Sequence, residues 1–298
     1  MHLLELGADK SIIELWHHEV DAREKPLMDW ICTPSYCSAL AKHFQIPLYF
    51  SYREGGFRKE MLRSEEPTAA VHFQTPTGWE KSGGKSQKLG TRNKFPQQSA
   101  SLAVRWCSAY LKIGVCDVAI AHQPRFIGKR TLFVSGERAE ESAARSKYAE
   151  FESHRKHAKS RHIDHWRPVI NWKTQEIWEI IERHKIVAHP AYHLGFGRTS
   201  CRGCIFISDK DWRTNLDMGD DFVANIASYE DKFGITIARP SSKGAQNVLE
   251  RAMQVKEKTL DPSWVEKANS SWHPTEPIIT DLWKMPAGAF ASLSGGSP

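Results

Sequence analysis

The sequence predicts an α/β protein built on a doubly wound, mostly parallel sheet. Two observations carry that expectation. Strand-like and helix-like segments alternate along the first half of the chain, and Gly, Pro and Ser punctuate the changes between them. The length, 298 residues, is enough for one large α/β domain with a tail, or for two small domains.

SIIELWHHEV, Ser11 to Val20, has the β-branched and aromatic content of a strand, and Asp21 stands where that strand ends. TPSYCSALAKHFQ follows as a helix, with Thr33 as N-cap and Pro34 at the favoured first position. IPLYFSYRE, Ile46 to Glu54, is a second strand, and Gly55-Gly56 turns the chain into the short helix FRKEMLR. From Thr75 to Gln98 no periodicity is visible, and the composition predicts a long basic loop carrying Lys81, Lys85, Lys88, Arg92 and Lys94. SLAVRWCSAYLK, Ser101 to Lys112, has helical recurrence that Gly114 is expected to interrupt. RTLFVSGE, Arg130 to Glu137, is the clearest strand, and AEESAARSKYAEF after it reads as an acidic helix. The His- and basic-rich ESHRKHAKSRH, from Glu152, leads to the strand HIDHWRPV and the helix TQEIWEIIERHK. Amphipathic helices are expected at FVANIASYEDKF and around VLERAMQV. The end, from Asp261, is rich in Pro, Ser and Trp and is expected to be only partly ordered. The division expected is 1–217 for a main α/β domain and 218–298 for a helical extension and tail.

Composition narrows the function. Hydrophobic residues at 40% and charged residues at 26% match ordinary globular domains, and no apolar run approaches bilayer-spanning length. MHLLELGADK lacks the n-region, h-region and cleavage site of a secretory signal, so a soluble, cytoplasmic protein with no membrane partner is expected. Lys and Arg exceed Asp and Glu by 41 to 35, which suits an anionic ligand but is too small an excess to indicate nucleic acid. Six cysteines without an export signal argue for free thiols or metal ligation rather than a disulfide framework.

Four stretches bear chemistry. Ser82-Gly83-Gly84-Lys85 looks like a phosphate loop, but such a loop needs a strand before it and a helix N-terminus after it, and neither is legible. In VSGERAEESAAR the strand runs into Gly136 and then Glu140, Glu141 and Ser142, where ligands of α/β sheets lie. There Arg138 and Arg145 offer forked donors matched to phosphate or sulfate, while an acidic helix start with surface ion pairs is the plainer alternative. Cys201 and Cys204 form a C-x-x-C among turn residues, a spacing shared by iron–sulfur, zinc and redox sites. Cys32 and Cys116 read as buried structural residues. His189, His193 and Arg198 lie close enough in sequence to the C-x-x-C to contact a ligand, although isolated histidines are more often structural.

GERAEESAAR, RWCSAYLK, RPVINWKTQEIWEII and HPAYHLGFGRTSCRGC, in this order, resemble the phosphoadenosine phosphosulfate (PAPS) reductase family, whose fold is the adenine nucleotide alpha-hydrolase-like sheet. The chain also resembles phage- and bacterium-borne members of unknown substrate, through its GGF…EMLR and GTR…KFPQ stretches. The resemblance implies that Gly136, Arg138, Glu141, Ser142 and Arg145 bind an adenine nucleotide, ATP or PAPS, or its sulfo group. It also implies that Arg105, Lys112 and Arg198 add positive charge beside them. It implies a 4Fe-4S cluster held by Cys107, Cys201 and Cys204, with Cys37 as the expected fourth ligand. A sulfur donor or a thioredoxin-like reductant would be the partner in such sulfur metabolism.

Two departures qualify the likeness. Members of the family begin with a strand and Ser-Gly-Gly-x-Asp-Ser, whereas MHLLELG reads as the helix after that loop, so the strand and its PP-loop are expected to lie before Met1. The reductases also carry a nucleophilic cysteine near the C-terminus, and the last cysteine here is Cys204. The catalytic residue is therefore not assigned. Sulfonucleotide reduction and ATP-pyrophosphatase or sulfurtransferase chemistry both stay open. So do a catalytically inactive nucleotide- or protein-binding remnant and a zinc-stabilised, DNA-associated protein using Cys32, Cys37, Cys201 and Cys204.

Overall fold

The computed structural model describes residues 1–23, 26–99, 101–240, 242, 244–271 and 277–291. A short helix, α1 (His2–Glu5), precedes a first sheet made of β1 (Leu15–Glu19), β2 (Leu48–Arg53), β3 (Val71–Thr75) and β4 (Gly78–Ser82), in that spatial order. β1 and β2 are parallel, and β3 and β4 continue the sheet antiparallel. The crossover from β1 to β2 carries α2 (Thr33–Phe44), and α3 (Gly56–Leu62) follows β2. Next come α4 (Trp106–Ser108), a π-helical turn over Ala109–Ile113, and α5 (Gly114–Ala121). A second sheet holds β5 (Arg130–Val134), β6 (Phe151–Ser153) and β7 (His162–Trp166) in the order β5-β7-β6, with β5 and β7 parallel. The remaining helices are α6 (Thr174–Arg183), α7 (Pro190–His193), α8 (Asp209–Asp217), α9 (Phe222–Phe233), α10 (Val248–Met253) and α11 (Pro262–Asn269).

The α/β character is as expected, but the parallel pairs stand in two mixed sheets instead of one. β1 is an edge of the first sheet and β5 an edge of the second, and a fork from Arg125 to Glu14 joins the segments just before them, with Nη2 to Oε2 at 2.8 Å.

One core cluster ties these layers together. It joins Val20, Phe57 and Trp106 from the first half to Trp212, Val223 and Ile226 of the later helices, so residues on both sides of Asp217 share it. Each of these large side chains is almost fully buried, a gain of roughly 1.5–3 kcal/mol apiece. Among the described residues no helix is long and apolar enough to cross a membrane.

Several local expectations are corrected. β1 starts at Leu15 because the Asp9 carboxylate accepts the Ser11 N–H at 2.8 Å and caps a 3-10 turn over Lys10–Ile12. Thr33 is the first helical residue of α2, with Cys32 in the cap position. The expected basic loop begins as a hairpin, since β3 and β4 pair across Thr75–Gly78. A strand therefore does precede Ser82-Gly83-Gly84-Lys85, but it is an exposed antiparallel edge, and the backbone after it is irregular instead of helical. Gly84 is needed for close approach there, because a Cβ would meet Ala70 at 3.0 Å with φ at +77°.

Gly114 does not interrupt its helix. Its N–H bonds to the Ala109 carbonyl and closes the π turn, and a Cβ there would sit 2.8 Å from that oxygen. The acidic helix expected over 139–151 is reduced to two 3-10 turns, Ala139–Glu141 and Arg145–Lys147, with Ser142 extended between them. The tail from Asp261 includes a helix, because Asp261 caps α11 through the Ser263 N–H. Residues 272–276 and 292–298 of that tail lie outside the described residues.

Candidate functional site

The Cys201–Cys204 turn is assembled by buried hydrogen bonds. Asp21, at the end of β1, accepts the backbone N–H groups of Leu27, Met28 and Asp29 on one oxygen, at 3.0, 2.6 and 2.6 Å. Burial raises its pKa to about 6, and those donors oppose the rise. The loop so fixed presents the Met28 carbonyl to the Gly203 N–H at 3.0 Å, while the Trp30 indole donates to the Ser200 carbonyl at 3.1 Å. The Cys204 N–H closes the turn on the Cys201 carbonyl at 3.0 Å. Between the cysteines, Arg202 is buried. It donates to Asn215 at 3.0 Å and forks onto Asp220 at 2.7 and 2.9 Å, and it lies over the Phe222 ring at 4.2 Å. The C-x-x-C turn is thereby anchored to α8, to the start of α9 and to the first sheet.

Lys112, on the π turn, interacts electrostatically with three sulfurs. The Cys201 sulfur raises its hold on its proton, burial opposes that, and Cys204, Cys107 and Asp29 add to the rise. Burial in turn pushes the Cys107 and Cys201 thiols up, and the Lys112 ammonium pulls both back. Three sulfurs from two separate segments are thus within Coulombic reach of one half-buried cation. Cys107, Cys201 and Cys204 all pack against the same core cluster.

A second group forms at the carboxyl end of β5. The Arg138 guanidinium donates to the Thr174 hydroxyl at 3.1 Å and lies 3.5 Å from Glu141, whose other oxygen meets Arg145 at 2.6 Å. Glu140 accepts from the Thr174 hydroxyl and backbone, and the Ala139 N–H bonds to the Ile170 carbonyl at 2.7 Å. These side-chain bonds to the RPVINWKT segment hold the loop out of the α-helix that its Ala and Glu content favours. Beside Gly136 an added Cβ would meet nothing within 4 Å, so the space there is open.

Tyr192 links the two groups. Burial raises its pKa, its hydroxyl bonds to Thr199, and the charges of Arg138, Arg198 and Glu141 all act on it. Arg198 in turn lies over the Phe206 ring at 5.8 Å, and Arg105 lies over the same ring at 5.6 Å. Arg105 and Arg198 therefore flank the residue two positions after Cys204.

One arrangement imitates a nucleophile and is not one. Ser135 Oγ lies 2.7 Å from His165 Nε2, a serine–histidine spacing. Arg167 Nη2 stands 3.1 Å from His165 Nδ1, and a guanidinium can only donate, so Nδ1 accepts and Nε2 carries the proton. Nε2–H then donates to Ser135, whose hydroxyl donates to Glu137 at 3.2 Å, and Glu137 accepts from Arg167 at 2.7 Å. The chain is closed on itself and leaves the imidazole no lone pair for the serine proton. Burial, then Arg167, lowers the His165 pKa, consistent with the neutral ring.

With this geometry established, comparison with known proteins becomes informative. Residues 83–206 match the family model described as the phosphoadenosine phosphosulfate reductase domain. Over those residues the chain is similar to that domain. A 37.8 kDa uncharacterized protein encoded in the gpa 5' region of Escherichia phage 186 is 25% identical over 139 residues, 47% of this chain. The aligned part spans 40% of that phage protein's length.

The PAPS reductase match covers the segment that holds Arg105, Cys107, Lys112, Gly136, Arg138, Glu141, Ser142, Arg145, Arg198, Cys201 and Cys204. Within it Cys107, Cys201 and Cys204 all act on the charge of Lys112, Arg138 and Arg145 separately share Glu141, and Arg105 and Arg198 lie over the Phe206 ring. Ser142 caps locally, its hydroxyl accepting the Arg145 N–H at 3.2 Å. Cys37 lies outside the matched segment on α2. Its sulfur is 3.8 Å from His17 Nδ1, and burial, Asp29 and Glu19 push its thiol up to about 12. What Cys37 shares with the three-sulfur group is Asp29, which also acts on Cys201 and Lys112.

Cys32 is fully buried with its sulfur 3.4 Å from His189 Nε2, and Cys116 is buried in α5. His189 caps α7 and holds Thr33, and His193 stacks on Trp264 at 3.6 Å. Of the basic-loop residues, Arg92 is bound to the buried Glu60 at 2.6 Å and lies over Trp106 and Tyr110. Sequence reasoning missed Arg202, Asp29 and Tyr192. The placement of Arg202 between the two cysteines was the one available signal for the first of them.

Proposed function

We propose that this protein acts on an adenylyl nucleotide, PAPS or ATP, with the nucleotide held by Gly136, Arg138, Glu141, Ser142 and Arg145 and with Arg105, Lys112 and Arg198 adding positive charge. In the same reading Cys107, Cys201 and Cys204 hold a metal centre, a 4Fe-4S cluster, and Cys37 is the fourth ligand. The observation that carries it is that Cys107, Cys201 and Cys204, from two segments packed on one core cluster, all act on Lys112, with Phe206 two residues beyond Cys204 lying under Arg105 and Arg198. The donor types fit such a centre: thiolates are its ligands, and the half-buried Lys112 ammonium balances their charge. When bound, the cluster supplies a one-electron centre and fixed charge near the nucleotide.

The chain's own contribution is positional. Arg138 and Arg145 share Glu141, and an incoming phosphate or sulfate competes with that carboxylate for both guanidiniums. Exchange of one anion for another leaves both arginines satisfied. The reaction fitting this arrangement is sulfonucleotide reduction or the adenylyl chemistry that precedes sulfur transfer, with a sulfur donor or thioredoxin-like reductant as partner.

The test is calorimetric titration of the purified chain with ATP and with PAPS. Micromolar binding is expected, weakened about tenfold or more in Arg138→Ala and in Arg145→Ala. Unchanged binding in both variants rejects this site. Elemental analysis separates the centres: iron with acid-labile sulfide supports the cluster, and zinc alone supports a structural site.

One observation favours a second reading, a binding module without turnover. Ser82-Gly83-Gly84-Lys85 leads into irregular backbone, so it offers no helix N-terminus to phosphates. ATP-dependent release of pyrophosphate by the pure chain would exclude it.

A further inference from the structure

The His-rich stretch before β7 is not used by the nucleotide reading, and its fold brings three metal-ligating side chains together. Ala158 and Arg161 exchange both backbone hydrogen bonds, at 3.0 and 2.9 Å, and close a tight turn over Lys159 and Ser160. The next pair outward is His157 and His162, which such pairing sets side by side on one face. Their rings are 4.7 Å apart between centroids. Asp164 is two residues further along β7, and so on the same face as His162, with Oδ2 3.0 Å from His162 Nε2. One ligand atom from each of the three lies within 4.8 Å of the others.

We propose that His157, His162 and Asp164 form a surface site for a divalent transition metal of the zinc class, bound by two imidazoles and one carboxylate with water completing the coordination. The donor types are those that borderline cations select, and ligands around one zinc ion stand roughly 3.3 Å apart. The separations therefore need only a small closure. His157 is exposed beside the hairpin turn. Its Nδ1 accepts only a long bond from the Ile163 N–H, at 3.3 Å, which a metal at that nitrogen replaces.

The surrounding charge does not forbid a cation. Arg155 is held by Asp117 at 2.7 Å and Arg161 donates to the Ala121 carbonyl, so both are turned to α5. Asp164 is the compensating anion.

This site is remote from the one proposed for the nucleotide. His162 pairs with Arg130, the first residue of β5, whereas the Gly136–Arg145 loop leaves β5 at its other end. Four residue steps along β7 separate the ends, roughly 13 Å. The ion would pin the hairpin to β7, independent of the cysteine group.

The experiment is a zinc competition titration of the full chain against a chromophoric chelator, with wild type, His157→Ala, His162→Ala and the double variant. Wild type should bind one zinc ion more than the double variant, and each single variant should bind that ion about tenfold or more weakly. Equal stoichiometry and affinity in all four would overturn the site. Should the double variant fail to fold, exposed His157→Ala alone gives the reading. Hydrogen exchange of the amides over 154–163 should slow on zinc addition in wild type and be unchanged in His157→Ala, and equal slowing in both would also count against the site.

Discussion

The Cys201–Cys204 turn and the Gly136–Arg145 loop both supply candidate site residues, and they are built in opposite ways. The turn is fixed mostly by buried bonds, with Arg202 on Asn215, Asp21 on the 27–29 backbone and Met28 on Gly203, and the buried Arg202 also reaches out to the exposed Asp220. The loop is fixed by part-exposed ion pairs in which one carboxylate, Glu141, serves two guanidiniums. Where the protein supplies every partner, the position of a side chain is set before any ligand arrives. Where a carboxylate stands in for an anion, the ligand completes the position.

The contrast is broken most directly at Arg202. Arg202→Ala leaves the buried Asn215 oxygen without its donor, leaves Asp220 with only the Phe222 N–H, and strips a cation from the Phe222 face. Urea denaturation should show a loss of about 3 kcal/mol. A loss below about 1 kcal/mol would mean that the turn holds itself.

The next effect is in pH. His189 Nδ1 accepts the Ala191 N–H at 3.2 Å, so the ring is neutral and Nε2–H faces Thr33 at 3.1 Å. Burial lowers its pKa to about 3, from the unfolded value of 6.5. The unfolded chain then takes up a proton that the folded chain refuses, so stability present above 6.5 is lost as pH falls from 6.5 toward 3. Between pH 7 and pH 5 this single group should cost about 2 kcal/mol, and His189→Gln should flatten that slope in thermal melts. An unchanged slope would show that the neighbouring fold does not depend on a neutral ring.

Smallest is the effect on the loop. Arg145→Ala should change stability by no more than about 0.5 kcal/mol in the same melts, because the Arg145–Glu141 pair is part exposed. A larger loss would place that arginine with the turn and not with the ligand-completed group.

The alternation of strands and helices was legible because β1, β2, β5 and β7 carry β-branched and aromatic residues and α2, α6, α9 and α10 carry apolar stripes. β4 was not, since every one of its first four residues is exposed and no alternation can show. α8 was hidden because Asp209–Asp217 is mostly polar, and its start rests on the Ser208–Asp211 capping box. The false helix at 139–151 failed for the opposite reason: strong Ala and Glu propensity lost to hydrogen bonds from a segment some thirty residues away. The meeting of Cys107 with Cys201 and Cys204 came from resemblance alone, because nothing local in RWCSAYLK announces a distant C-x-x-C. The partners that hold the turn, Asp21 and Arg202, needed the fold.

The π turn over Ala109–Ile113 has a consequence for registration. Cys107 and Lys112 are five residues apart, which on a regular α-helix would place them ~140° away from each other around the axis. A turn bonded i to i+5 instead brings residues five apart toward one line, and Gly114, with no Cβ to strike the Ala109 carbonyl, permits it. The chain thus carries one residue more than an α-helix would need between the thiol and the ammonium. Deleting a single residue within that turn would rewind the helix and swing one group off the face that the other occupies, with every remaining side chain still present.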